Sequence, residues 1–231
     1  MPKEYQTDQE LFALMKGELY TAVVGDILDK MGYFYQFLSP DIQPLRSDMV
    51  LAGRAMTVLE ADVFVESYEG ANGPLTNKTF GLMLEALDGL QEGEIYVASG
   101  ASPRYALWGE LMATRAKHLG SAGALLNGYI RDCNGIEAID FPAFGIGKYA
   151  QDQGPRGKVI DYRVPIEING IRIDPGALIF GDHEGVLVIP KEAEEEAVSR
   201  ALEKARGEKT VGKAIAGGMS AKDAFEKFGI M

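Results

Sequence analysis

Apolar residues recur at helical spacing in ELFALMKGELY, with Thr7 and Asp8 ahead of the run as caps. They recur again in AVVGDILDKMG, which Thr21 opens and Gly32 closes, so two helices are predicted within residues 7–32. MVLAGRAMTVLEA reads as a strand interrupted by Gly53. The middle of the chain alternates: NKTFGLMLEALDGL is helical, EIYVASG a strand, ALWGELMATRAKHLG helical, and GALLNGYI an uncharged run of the kind a buried strand shows. Strand, helix and strand in that order predict a βαβ unit with a right-handed crossover. The pattern then changes to VIDYRVPIEI, GIRI, ALIFGD and GVLVIP. These short runs are split by Asn169-Gly170, Pro175-Gly176 and Glu184-Gly185, the punctuation of antiparallel hairpins. From Lys191 to about residue 216 a charged helix is expected, its outer face laced with Glu–Lys pairs, followed by a short tail.

The expectation is therefore one α/β domain over residues 1–231, with helices at 7–32, a core at 49–190 and a C-terminal helix at 191–216. No long Gly/Ser/Pro linker, repeat or low-complexity tract divides it. At 231 residues and 46% hydrophobic the chain is long and apolar enough for a packed core. Acidic residues outnumber basic ones 34 to 23, a net charge of −11 that repels phosphate backbones, and no basic patch offsets it, so no nucleic-acid partner is expected. A single cysteine, Cys133, excludes an intrachain disulfide framework. The N-terminus lacks the basic-then-apolar run of a secretory signal. No uncharged apolar stretch approaches the roughly 18 residues of a spanning helix, so no membrane partner and a cytoplasmic location are expected.

The chemistry concentrates between Trp108 and Asp132. A helix opening near Trp108-Gly109 leaves the amides of Gly109, Glu110, Leu111 and Met112 as helix-start donors, suited to a carboxylate or phosphate. A buried strand ends at Tyr129-Ile130, and Arg131-Asp132 follows at its carboxyl end, where open α/β sheets face their ligands. A guanidinium there can grip a carboxylate, and the neighbouring aspartate can hold a hard divalent cation. The competing structural role is a turn in which Asp132 caps the helix beginning CNGIEAI.

These residues carry a resemblance to the RraA-like family, which includes metal-dependent 4-hydroxy-4-methyl-2-oxoglutarate aldolases (4-carboxy-4-hydroxy-2-oxoadipate aldolases). The family's pattern is an acidic residue, twenty residues, then Arg-Asp; here Glu110 precedes Arg131-Asp132 by that spacing. GDILDKMG with LAGRAMTV, WGELMATRAKHLGSAGALLNGYIRD, FPAFGIG and DPGALIFGDHEGVLVIP extend the likeness over nearly the whole chain. The resemblance implies a swivelling α/β/β domain assembling as homotrimers or homohexamers. It implies a class II type pyruvate aldolase with oxaloacetate decarboxylase activity, acting on a small 2-oxo acid. By position it implies that Asp132 ligates Mg²⁺ or Mn²⁺, that Arg131 grips the substrate carboxylate, and that residues 109–112 offer amides to the same group. Glu110 stands where the aldolases usually carry aspartate, suited to proton transfer. Glu208 matches an acid contributed by an adjacent subunit. Family members without an acid at position 110 are linked to inhibition of a ribonuclease, so the rival reading is a non-catalytic regulator of RNA decay that binds a ribonuclease or helicase; Glu110 argues against it. A quinone methyltransferase reading lacks the Gly-rich loop after a first strand.

Other candidates carry less. GEKTVGK at 207–213 has phosphate-loop spacing, but Ala214 replaces the needed Ser/Thr and the pattern is helical. GANGP at 70–74 reads most simply as a flexible loop, with a lid near the cleft as the alternative. His118 reads as a helix-end residue, His183 as a turn residue, and Cys133 as a small buried thiol. Trp108 fits either a site wall or the core.

Overall fold

A computed structural model describes residues 4–64, 75 and 77–229; the GANGP segment lies outside them. Helices α1 (Asp8–Glu18) and α2 (Thr21–Lys30) form where the apolar spacing places them, and Thr7 and Glu10 cap α1 reciprocally. The strands are β1 (Gln43–Pro44), β2 (Leu51–Asp62), β3 (Glu94–Ser99), β4 (Ala106–Trp108), β5 (Gly123–Leu126), β6 (Tyr129–Ile130), β7 (Ala143–Gly145), β8 (Gly147–Lys148), β9 (Gly157–Tyr162), β10 (Ile166–Ile168), β11 (Ile171–Ile173), β12 (Leu178–Asp182) and β13 (Gly185–Ile189). Between them lie α3 (Met83–Asp88), α4 (Glu110–His118) and α5 (Cys133–Ala138), and the chain closes on α6 (Glu194–Ala216) and α7 (Ala221–Phe228).

Eight strands build the main sheet in the order β1-β7-β5-β3-β2-β12-β13, with β9 also pairing β2. Strand β2 is long enough to share one edge between two partners. Residues 51–54 pair with β12 and residues 58–62 with β9, both antiparallel. On its other edge β2 pairs β3 in parallel, and β3 pairs β5 in parallel, so the strand–helix–strand order yields the expected parallel units. The two late hairpins, β10–β11 and β12–β13, are antiparallel as the Gly-containing turns predict. Apolar residues of α1, α2 and α6 cover one side of β12 and β13. Those of α3, α4 and α5 pack with Met56, Tyr96, Trp108 and Phe141 in a second cluster. This is the α/β architecture with antiparallel hairpins and a C-terminal helix that the sequence predicts, with a second helix added after it.

Several expectations need correction: within NKTFGLMLEALDGL only the six residues of α3 are α-helical, and VIDYRVPIEI breaks between β9 and β10 at residues 163–165. ALW is a strand, β4, and the helix begins only at Glu110, because Gly109 in extended backbone breaks between them. GALLNGYI is two strands: the chain leaves the main sheet after Leu126, and β6 joins β4 and β8 in a separate three-stranded parallel sheet. The charged helix starts at Glu194 rather than Lys191, after a turn closed by Pro190. The tail is a helix, α7, capped by the Ser220 side chain. Among the described residues no helix is long and apolar enough to cross a membrane.

Candidate active site

The small sheet organises the site. Its three strands run parallel, and the segments leaving their carboxyl ends converge: Gly109-Glu110 after β4, Arg131-Asp132 after β6, and Asp152-Gln153 a few residues after β8. Carboxyl ends of parallel strands are where open α/β sheets gather ligand groups. A cavity of about 330 Å³ opens there. Leu107, Trp108, Gly109, Leu111 and Met112 line it on one side, Phe80 and the α3 residues Met83, Leu84 and Leu87 on another, and Arg131, Asp132, Asp152 and Gln153 supply its polar part.

Asp132 occupies the N-cap position of α5, yet its side chain makes no capping hydrogen bond there. Its Oδ2 instead accepts from the Glu110 amide at the start of α4, at 3.4 Å. Its backbone is left-handed, φ 55° and ψ 35°. Such conformations are disfavoured for residues with a Cβ and concentrate at functional sites. The capping role therefore fails, and the carboxylate is turned from its own helix toward the neighbouring one.

Arg131 is held on both sides. Its amide donates to the Trp108 carbonyl at 2.9 Å, tying β6 to β4. Its guanidinium lies 2.7 Å from Asp152 Oδ1 and 3.6 Å from Asp132 Oδ2. Gly109 is glycine for reasons of space: a Cβ there would stand 2.7 Å from Asp132 Oδ2 and 3.3 Å from Arg131 Nε. No side chain of the N-cap residue caps α4; the Glu110 amide is taken by Asp132 Oδ2, and Gly109, Leu111 and Met112 line the cavity. Glu110 lies over Gly135 of α5, where a Cβ would collide with its carboxyl group. The twenty-residue spacing thus brings Glu110, Arg131 and Asp132 together, with Leu111 and Met112 on the same helix turn.

Trp108 takes both roles considered for it. Its ring is buried against Tyr96 and Phe141, with centroids 4.9 Å and 5.9 Å away, and it also walls the cavity. Cys133 is half-buried, and burial pushes its thiol pKa up, which opposes a nucleophilic role. His118 closes the last turn of α4 and His183 occupies the β12–β13 turn, both apart from the cavity. GEKTVGK lies inside α6. Glu208, also on α6, accepts from the Tyr20 hydroxyl and pairs with Lys204 at 3.3 Å; within this chain it does not approach the cavity. Partial burial raises its pKa.

Sequence reasoning missed a buried group beneath the site. Glu60, near the end of β2, is only 2% exposed, and Gln153 Nε2 donates to its Oε2 at 2.8 Å. Burial pushes the Glu60 pKa up to about 8. Glu60 Oε1, the Tyr96 hydroxyl and Trp108 Nε1 are buried without a hydrogen-bond partner. An acid within a strand that is otherwise mostly apolar was the available signal.

A family model described as RraA-like, Aldolase/RraA, matches residues 21–188. The chain belongs to the RraA-like family. It is 31% identical over 207 residues to a Halalkalibacterium halodurans protein named "Putative 4-hydroxy-4-methyl-2-oxoglutarate aldolase", covering 89% of each. It is 27% identical over 210 residues to Protein DlpA of Legionella pneumophila, a match over 90% of this chain but only 32% of that longer relative. Among solved structures, an uncharacterized protein from Pseudomonas syringae pv. tomato superposes with a TM-score of 0.79 at 26% identity, over 95% of this chain and 99% of that one. Streptomyces coelicolor RraAS2, described as an unusual member of the RNase ES inhibitor RraA protein family, superposes with a TM-score of 0.73 at 21% identity, over 89% and 97%. At that identity the likeness speaks for the RraA-like fold alone.

Proposed function

We propose that this RraA-like protein is a metal-dependent carbon–carbon lyase. It cleaves 4-hydroxy-2-oxo acids, the class that includes 4-hydroxy-4-methyl-2-oxoglutarate, to pyruvate and a second carbonyl compound, and decarboxylates oxaloacetate as a side reaction through the same enolate. The observation that carries this reading is the Asp132 carboxylate, turned away from its own helix toward the start of α4 beside Arg131.

The donor chemistry fits a hard divalent cation. Asp132 and Glu110 offer only carboxylate oxygens, and no group of three or more His, Cys, Asp or Glu forms a cage among the described residues. Mg²⁺ is commonly held in this way, by one or two carboxylates and its own waters. Asp132 would hold Mg²⁺ or Mn²⁺, which would supply Lewis-acid stabilisation of the charge that develops on the enolate oxygen.

The remaining work falls to the chain. Arg131, steadied by Asp152, grips the substrate carboxylate, and the first-turn amides of residues 109–112 receive the same group. Glu110 moves the proton of the C4 hydroxyl through a water and returns one to C3. The apolar walls keep bulk water from the enolate. The assembly is a homotrimer or homohexamer, in which Glu208 of the partner subunit reaches this site.

Pyruvate release from oxaloacetate and from a 4-hydroxy-2-oxo acid, with Mg²⁺ and with EDTA, tests the reading. Release that depends on the cation and falls at least about a hundredfold in Asp132→Asn is expected. Release that persists in EDTA or in the variant would sink it. No release from any substrate would move the reading to a non-catalytic RraA-type binder.

A further inference from the structure

The cavity has two unlike halves, and their contrast bears on the part of the substrate beyond its pyruvate unit. The polar half is acidic. Asp132 and Asp152 line it, whereas Arg131 is the only cation among the described residues lining the cavity. That guanidinium is already engaged by Asp152 at 2.7 Å, which leaves it able to serve one substrate carboxylate. Two lining carboxylates against one guanidinium leave no surplus positive charge for a second anionic group, and the single positive charge left after a divalent cation binds at Asp132 is met by the substrate's own carboxylate.

The other half is apolar throughout. Phe80, Met83, Leu84 and Leu87 face Leu111 and Met112 across the cavity, with Leu107 and Trp108 between. Leu84 is 56% exposed and Leu111 85%, so two large apolar side chains flank the entrance where a recognition site for a distal carboxylate would place lysine or arginine. Among the neighbouring basic groups, Lys78 pairs with Glu85 at 2.6 Å, Lys148 lies 3.6 Å from Glu137, and Arg156, which does not line the cavity, donates to the Asp152 carbonyl at 3.0 Å. Desolvating a carboxylate against such walls is costly without a partner, whereas burying methylene or aryl surface there is favourable.

The geometry points to a monoanionic substrate: a 4-hydroxy-2-oxo acid whose C4 substituent is an uncharged alkyl or aryl group, rather than a dicarboxylic acid. This inference rests on the lyase reading of the same site and narrows it. In the reaction the C3–C4 bond breaks and its electron pair passes to C3 and the 2-oxo oxygen as the enolate of pyruvate. The C4 hydroxyl loses its proton as C4 becomes the carbonyl carbon of an apolar aldehyde or ketone, and a proton taken up at C3 completes pyruvate. No oxidant or reductant is needed. The apolar product leaves by the leucine-flanked entrance.

The test separates binding from turnover. Calorimetry of the full chain with Mg²⁺ compares two uncleavable ligands of the same shape: 2-oxoglutarate, and 5-methyl-2-oxohexanoate, in which two methyl groups replace the distal carboxylate oxygens. Binding of the apolar ligand at least about tenfold tighter is expected. The same order is expected in kcat/KM for alkyl- or aryl-substituted 4-hydroxy-2-oxo acids against 4-hydroxy-4-methyl-2-oxoglutarate. Leu84→Lys, at an exposed position that tolerates charge, is expected to narrow or reverse both preferences. Equal or tighter binding of 2-oxoglutarate by the unaltered protein would overturn the inference and would mean that a cation from outside this chain completes the site. Deuterium exchange into the pyruvate methyl group, which needs only the pyruvate half of the site, separates this failure from that of the lyase reading. Exchange without the apolar preference overturns the substrate class alone; absence of both exchange and cleavage overturns the two together.

Discussion

At Asp132 two demands meet on one residue. A left-handed backbone costs an ordinary L-residue roughly 1–2 kcal/mol, while Asp and Asn bear it best because their short polar side chains bond locally. The sequence therefore places at φ 55° one of the few residues that can combine that turn with a negative charge. Asp132→Asn is expected to keep the fold within about 0.5 kcal/mol and to lose cation-dependent turnover, whereas Asp132→Ala is expected to add about 1 kcal/mol of destabilisation. Denaturation curves alongside pyruvate release distinguish the two costs. Gly109→Ala should act from the opposite side: its Cβ would press on Asp132 Oδ2 and Arg131 Nε, so activity should fall at least about tenfold with melting little changed. Glu60 adds a pH dependence of stability. Its folded pKa, about 8, lies above the ordinary carboxylate value because burial disfavours the anion. The folded state thus binds the extra proton, and stability falls as pH rises from about 4.5 through about 8, by up to about 1.4 kcal/mol per unit from this group alone. Glu60→Gln should flatten the melting temperature across that window; an unchanged slope would show that Glu60 ionises freely.

Among the elements, one carboxylate makes a buried long-range tie outside the site. Asp182, at the end of β12, accepts from the amide and hydroxyl of Thr21 at 2.7 Å each, and from the Glu184 amide at 2.9 Å. It therefore caps α2 from 161 residues away while closing the β12–β13 turn. Asp182→Ala would strand buried donors in both elements and should cost about 2–3 kcal/mol, read as a lower denaturation midpoint with an unchanged slope. A loss under about 0.5 kcal/mol would mean that the two elements hold their geometry without it. The sequence marked Thr21 as a helix start and Glu184-Gly185 as a turn, yet gave no sign that a single side chain serves both. The small sheet was hidden for a related reason. β4, β6 and β8 are two or three residues long, too short for a period to register, and their pairing is parallel and long-range. Arg131-Asp132 could be read as a strand-end pair because it follows an uncharged run. Asp152 and Gln153 could not, since the strand before them is only two residues long. The α7 helix escaped because it is short and charged, though Ser220 is a recognisable cap.

For the whole molecule, the fold was legible where local pattern and pairing agree: α1, α2, β2, β3 and the late hairpins are all marked by spacing and turn residues. The placement of Glu208 is of another kind. Within one chain it lies among Tyr20 and Lys204 on the helical face of the molecule, away from the Asp132 cavity, so a role at that cavity requires a second copy. A closed ring of identical subunits would then build each site from Asp132 of one chain and Glu208 of the next. Inactive Asp132→Ala and Glu208→Ala proteins carry complementary lesions. Mixed in equal amounts and allowed to exchange subunits, they should regenerate about a quarter of the sites with both carboxylates intact, the share expected from random assembly. Recovery of pyruvate release near that fraction would establish the composite site. If subunits are shown to exchange by mass spectrometry and no activity returns, Glu208 does not serve a neighbouring site, and its raised pKa reflects only its packing beneath Tyr20.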